Sequence, residues 1–188
     1  ATATFILRVT GDIGEVGPGG GKIFYVANTP FSCGPTRTAT CSYLEAAPSG
    51  WNTGSDPSRT WAQSGQGGSP RYDTGTVNNA ISPETATATA IGWGYRNTLA
   101  IILQGSTNTA NSAAALADAY SVTVGGVVFD DWFLPSKDEL EQIFIQRLTV
   151  GGVSSFYWSS SENDALQAWY WYSMGGFFNT SGLSLIHI

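Results

Sequence analysis

Charge, sulfur and long apolar runs are all scarce in this chain. Only 12% of its 188 residues are charged, and it holds two cysteines, one methionine and one histidine. The net charge of −6 and the lack of any Lys/Arg cluster argue against nucleic acid or anionic lipid as a partner. No run of eighteen apolar residues is present, so we expect no membrane insertion. The chain begins at Ala1 without a methionine or a visible signal peptide, which suggests a processed product or a fragment.

The same shortages leave little for catalysis or metal binding. The single histidine, His187, lies near the end of the sequence and far from both cysteines, which disfavours a zinc site. A Ser-His-Asp triad would have to use this histidine without a recognisable nucleophile elbow. We therefore expect no enzyme activity, no metal and no cofactor.

The two cysteines, Cys33 and Cys41, lie in a loop that also contains proline and glycine. An even pair in a chain of this composition favours a disulfide, and a disulfide favours an oxidising compartment. Two reduced thiols are the alternative.

Glycine, serine and threonine are abundant, which is typical of short strands joined by many turns. The length suits one domain covering residues 1–188. Strand patterns cover residues 5–9, 22–27 and 42–47 and most of the chain after Gly152. We expect the first two of these strands to pair. Turns are expected in the glycine-rich segment between the first two. Strands, then helices, then strands predict an α+β fold.

Three helices and one hairpin are expected in the middle of the chain. Helices are predicted at residues 95–103 and at 110–120, the second with Thr109 as its N-cap. Gly125-Gly126 between two short strand patterns predicts a hairpin with a two-residue turn. Ser136 and Glu139 form a capping-box pattern at the start of the third helix. Its buried face is predicted to contain Leu140, Ile143, Phe144 and Leu148.

The last thirty residues carry the pattern that best indicates function. Seven aromatic or Met side chains are interleaved there with Gly, Ser and Asn, too many to bury on one face of a strand. Tyr and Trp give rigid contact area, and Ser, Gly and Asn give adaptable hydrogen bonds, as in a paratope. If Trp169 is buried, alternation predicts that Tyr170 and Tyr172 are exposed. Core packing is the alternative for Trp171, Phe177 and Phe178.

Four motifs, in order along the chain, resemble the Lcl C-terminal-domain family. They are Gly17-Pro-Gly-Gly-Gly-Lys-Ile-Phe-Tyr25, Tyr43-Leu-Glu-Ala-Ala-Pro48, Asp131-Trp-Phe-Leu-Pro-Ser-Lys-Asp-Glu-Leu140, and Tyr157-Trp-Ser-Ser-Ser-Glu162 with Ala168-Trp169. The resemblance implies a C-type-lectin-like fold with two or three helices and long ordered loops. It also implies an extracellular, cell-surface or virion location and a binding role of the adhesin type. The expected partner is a protein or glycan on another cell or surface.

A subset of this family resembles the variable proteins of diversity-generating retroelements, in which the segment after the Trp-Ser-Ser-Ser-Glu motif is mutagenised. Residues 157–188 would be the variable ligand-binding segment here. The resemblance implies scaffold roles for Trp158, Ser159, Ser160, Glu162 and Trp169. The implied contact residues are Tyr170, Trp171, Tyr172, Ser173, Met174, Phe177, Phe178, Asn179, Thr180 and Ser181.

The chain departs from the family pattern at two places. The family usually has an aromatic residue where Ser173 stands, and it ends in a strand that residues 183–188 do not match. We expect a truncated or replaced closing strand, which would leave an unpaired sheet edge. Glycine also recurs at every third position from Gly11 to Gly20. That edge and these triplets are the support for the alternative function, a structural or assembly module such as a trimeric fibre tip, and for a possible homo-oligomer.

Overall fold

The computed structural model of the protein describes residues 11–54, 56–61, 88–103, 112–151, 153, 156–164, 167–172 and 175–180. These residues form several small antiparallel sheets and a few helices, so the α+β class is confirmed. The elements are β1 (Lys22–Cys33), β2 (Ala39–Ala46), α1 (Gly94–Leu103), α2 (Ala113–Asp118), β3 (Val122–Val124), β4 (Val127–Phe129), α3 (Lys137–Ile145), α4 (Arg147–Val150), β5 (Phe156–Asp164), β6 (Gln167–Tyr172) and β7 (Gly176–Thr180).

Strands β1 and β2 form an antiparallel hairpin closed by a disulfide. The predicted bond between Cys33 and Cys41 is confirmed, with 5.9 Å between their Cα atoms. The strand predicted at residues 5–9 lies outside the described residues, and β1 pairs with β2. β1 runs beyond its predicted end because a register irregularity between Val26 and Phe31 accommodates Pro30, which could not sit in a regular ladder.

The glycine-rich segment before β1 folds into turns, as predicted. Gly14 and Gly20 have φ angles of 91° and 81°, which side chains with a Cβ rarely adopt. The amide of Gly20 donates to the carbonyl of Gly17 at 3.0 Å, and the amide of Gly17 donates to the carbonyl of Gly21 at 3.0 Å. The turns bring this segment back over the start of β1.

Three of the four helices were predicted; α2 is shorter than predicted at both ends, and α4 takes the place of the predicted end of α3. α1 lies where it is predicted, but the second helix begins at Ala113 with Ser112 as N-cap, whose hydroxyl accepts from the amide of Ala115. Thr109, the predicted cap, lies outside the described residues. The prediction that Leu148 shares the buried face of α3 is wrong, since Leu148 is 90% exposed. The helix is interrupted at Gln146 (φ −94°, ψ 10°), which turns α4 away from the α3 face.

The capping box of α3 is confirmed, and its glutamate also holds the start of α1. Glu139 is fully buried. Its carboxylate accepts from the amide of Ser136 at 2.7 Å, from that of Gly92 at 2.7 Å, and weakly from that of Gly94 at 3.5 Å. Burial raises the pKa of Glu139 to about 7, although these N–H donors act to lower it. One carboxylate therefore joins the starts of two helices.

The core has two parts, one on each side of the C-terminal strands. The first lies among α1, α2 and β5, and the second lies between α3 and the sheet of β5, β6 and β7. The largest members of the first are Trp61, Ile101, Leu134 and Trp158, and the second contains Leu140, Phe144 and Tyr157.

Candidate ligand-binding face

The C-terminal sheet, in the order β5-β6-β7, has two faces with different surroundings. Residues paired across antiparallel strands point to the same side of a sheet, so the register assigns each aromatic residue to a face. One face carries the pairs Phe156–Tyr172, Trp158–Tyr170 and Tyr170–Phe178, and the other carries Tyr157–Trp171 and Trp171–Phe177.

Four partly exposed rings on the first side form a continuous cluster, here called the aromatic face: Phe156, Tyr170, Tyr172 and Phe178. Phe156 stacks on Tyr172 with centroids 4.4 Å apart and planes 9° apart. Phe178 joins them, 5.9 Å from Tyr170 and 6.4 Å from Tyr172, and is 42% exposed. Tyr170 is anchored at its inner edge by Trp158, at 5.8 Å. The cluster is thus held at its base and open at its outer surface.

The second side of the sheet is covered by α3. Trp171 stacks on Phe144 at 4.5 Å, and Phe177 meets Trp171 edge to face at 4.7 Å. Trp171 and Phe177 pack against the second core cluster and are only partly exposed. The alternation expected along the strand is therefore present, with Trp171 on the helix side and the two tyrosines on the other.

Trp169 also lies on the helix side and meets a cation. The ammonium of Lys137, at the start of α3, lies 5.0 Å from the Trp169 ring and 4.7 Å from the Phe177 ring. Trp169, Tyr170 and Tyr172 are all partly buried. Alternation therefore places Trp169 and the two tyrosines on opposite sides of the sheet, but it does not bury Trp169 and expose the tyrosines as expected.

The Trp-Ser-Ser-Ser-Glu segment lies beneath the aromatic face and is tied to distant parts of the chain. The indole N–H of Trp158 donates to the carbonyl of Arg59 at 3.3 Å, and that of Trp61 donates to the carbonyl of Ser159 at 2.6 Å. The amide of Ser160 donates to the carbonyl of the proline before the α3 cap at 2.6 Å. The buried residues of the segment are Trp158, Ser159, Ser160, Ser161 and Glu162.

The remaining candidate contact residues follow β6 or lie on β7. Asn179 is exposed, and Thr180 is the last residue of β7. Ser173, Met174 and Ser181 lie outside the described residues. The candidate set is therefore only partly assembled on one surface.

Sequence reasoning missed Phe156, which supplies the closest stacking contact of the aromatic face. A signal for it was present, because Phe156 stands two positions before Trp158 in a strand pattern and so shares its side. Lys137 was missed as a neighbour of Trp169 because its position depends on how α3 packs against the sheet.

The aromatic face offers ring surface with two phenol hydroxyls and no ionised group. Burial raises the pKa of Tyr170 above its usual value, so it moves still further from neutral pH. Among the described residues, no group of His, Cys, Asp or Glu is arranged to hold a metal ion. Within the same ranges, no helix has both the length and the apolar character needed to span a bilayer. The chemistry available is contact through apolar rings and hydroxyl hydrogen bonds.

Comparison of the chain with protein-family models, with curated proteins and with solved structures finds no match.

Proposed function

We propose that this protein is a surface- or virion-displayed ligand-binding protein of the adhesin or receptor-binding type, which binds a protein or glycan through its aromatic face. The observation that carries the proposal is the four-ring cluster, anchored by Trp158 below and open above. Rigid rings with polar tips lose little entropy on binding and suit both protein and sugar surfaces.

The proposal includes a C-type-lectin-like fold and, as in the resemblance, diversification of the C-terminal segment by a retroelement. The α+β class and the burial of residues 158–162 support it. Hydrogen bonds tie Trp158 and Ser159 to residues about 100 positions earlier in the chain. These bonds can hold the segment in place while side chains on the following strands change.

The packing narrows the proposed contact set. Tyr172 and Phe178 have their rings on the open side, whereas Trp171 and Phe177 pack against the second core cluster, under α3. We propose that Tyr172 and Phe178 make the contacts, and that Trp171 and Phe177 hold the sheet against the helix. Asn179 is exposed but pairs with Trp169, so it lies on the helix side of the sheet. Tyr170 lies on the open side and also packs on the first core cluster. We propose that it both contacts the ligand and holds the sheet to that cluster.

An extracellular, cell-surface or virion location belongs to the same proposal. The disulfide between Cys33 and Cys41 supports it, since such bonds persist in oxidising compartments.

The first test is sequencing of many copies of the 3′ end of the gene from its source population, scored codon by codon. Diversification of a binding face predicts substitutions at positions 170, 172 and 178, with Trp158, Glu162 and Trp171 unchanged. Substitutions spread equally over both sides of β6 would contradict the assigned face. An invariant tail would remove the retroelement part and leave an adhesin of fixed specificity.

The second test measures binding of the purified protein to arrays of glycans and surface proteins. Tyr172→Ser and Phe178→Ser should abolish the signals that the unchanged protein gives, because contact rings carry much of the binding energy. Val128→Ser is the matched control, because Val128 is an exposed apolar residue of β4, outside the C-terminal sheet. Losses of equal size in all three variants would contradict the proposal. Sedimentation that showed a stable trimer with these rings protected would favour the assembly module.

A further inference from the structure

A cavity of about 450 Å³ lies between β2, the segment that joins β4 to α3, and α3 itself. Its volume falls in the range of roughly 300–1,000 Å³ that is usual for small-molecule sites. None of the four residues of the aromatic face lines it. The cavity is therefore separate from the proposed ligand-binding face.

Three aromatic rings form one wall of the cavity. Tyr120 lies between two tryptophans, with its centroid 4.9 Å from that of Trp51 and 5.3 Å from that of Trp132. The Trp132 ring rests on glycine backbone, because a Cβ added at Gly19 or at Gly21 would lie 3.1 Å from it. This close approach fixes the ring in place.

The charge in the cavity is all of one sign. Three carboxylates, those of Glu45, Asp56 and Asp131, line it, and no Lys, Arg or His is found among its described lining residues. The negative charge is felt nearby: the pKa of Tyr43 is raised by burial and, in addition, by Glu45 and Asp131. An anionic ligand would be repelled, and a cation would be attracted.

Two of these carboxylates supply charge while their oxygens already accept hydrogen bonds. Glu45 accepts from the amides of Gly19 at 3.3 Å and Gly21 at 3.2 Å. Asp56 accepts from the amide of Gly50 at 3.1 Å and from a tyrosine hydroxyl of β5 at 3.5 Å. A primary ammonium needs several acceptors, whereas a quaternary ammonium has no N–H, needs no acceptor and lies well against ring faces.

From these features we propose that the cavity is a binding site for a small quaternary ammonium ion. Its head group lies against the rings of Trp51, Tyr120 and Trp132, and Glu45 and Asp131 balance its charge. The site is distinct from the aromatic face and does not depend on the function proposed for it.

The test is calorimetric titration of the full chain with choline, at low salt. The matched probe is the neutral isostere of choline, in which a tert-butyl group replaces the trimethylammonium group. We expect saturable choline binding with a Kd in the millimolar range or below, and binding of the neutral probe at least about tenfold weaker, because only the cation gains from ring faces and carboxylates. Phosphorylcholine should bind more weakly than choline, since its phosphate is repelled by the same carboxylates. That comparison distinguishes a free ammonium compound from a phosphocholine head group.

Two single substitutions localise the binding. Asp131→Asn should weaken choline binding about two- to fivefold, as expected for the loss of one partly screened charge. Asp130→Asn is the matched control, because Asp130 is the adjacent, equally exposed carboxylate that does not line the cavity, and it should leave the Kd unchanged. Three outcomes would each overturn the proposal: equal affinities for choline and its neutral isostere, equal effects of the two variants, or no saturable binding below about 20 mM choline. Cation–π recognition at this site requires the opposite of each.

Discussion

Replacement of Glu139 by Gln should remove a large part of the dependence of stability on pH. Burial is the main cause that raises the pKa of Glu139 from its ordinary value of 4.5 to about 7 in the folded protein. Because the folded-state pKa is the higher one, the protonated form is favoured by folding. The stabilisation is fully present below about pH 4.5 and is lost as the pH rises through about 7.

The size of this effect follows from the shift. Each pKa unit corresponds to about 1.4 kcal/mol, so Glu139 accounts for a fall of roughly 3 kcal/mol in the free energy of unfolding across this interval. For a chain of this length, that corresponds to a decrease in Tm of about 10 °C. Glu45 and Asp118 also have raised pKa values, so the unchanged protein should lose somewhat more.

The assay is thermal unfolding followed by circular dichroism at several values between about pH 4 and pH 8, a range that brackets the window from about 4.5 to about 7 that the shift defines. The Tm of Glu139→Gln should fall about 10 °C less than that of the unchanged protein over this window, whatever its Tm at the acid end. Comparison of the two slopes cancels the contribution of every other carboxylate. Glu141→Gln is the matched control, since Glu141 is an exposed carboxylate on the same helix. Parallel curves for Glu139→Gln and the unchanged protein would refute the reasoning.

Three further predictions follow from the packing. Trp171→Ala should lower the free energy of unfolding by about 2–3 kcal/mol, because it removes a ring stacked under α3, whereas Tyr172→Ala should cost less than about 1 kcal/mol; similar losses in denaturant titrations would contradict the assignment of faces. Cys33→Ser should cost about 2.5 kcal/mol relative to the oxidised protein, about the same as reduction, because both free the nine-residue loop, and an unchanged Tm on reduction would oppose this. Gly92→Ala should cost at least about 2 kcal/mol, since φ there is +87° and the new Cβ would clash with a carbonyl oxygen of β1; a stability equal to that of the unchanged protein would show that the clash relaxes.

The features that the sequence predicted well are those fixed by a few adjacent residues. The capping box needs only Ser136 and Glu139, three positions apart, and it forms. Gly125 and Gly126 take φ angles of 60° and 86°, which is the geometry that the predicted two-residue hairpin turn requires.

The features that the sequence did not predict depend on how distant parts of the chain meet. Leu148 continues the apolar spacing of α3, yet the backbone at Gln146 ends that helix before the spacing can matter. The sequence predicts that Glu139 caps its own helix, but it does not predict that the same carboxylate accepts from the amide of Gly92, 47 positions away. The cavity walls likewise come from widely separated positions, such as Trp51 and Trp132.

The alternation along β6 gives the binding proposal a physical rule for which positions can change. A new side chain at Tyr172 alters the open surface, while the stacking of Trp171 on Phe144 at 4.5 Å holds the strand to α3 from the other side. Because neighbouring residues of a strand face opposite ways, alternate positions of β6 would contact the ligand and the helix α3 in turn. A diversified tail on this sheet should therefore vary at every second position of β6. Loss of that period in functional variants would mean that attachment comes from outside the strand.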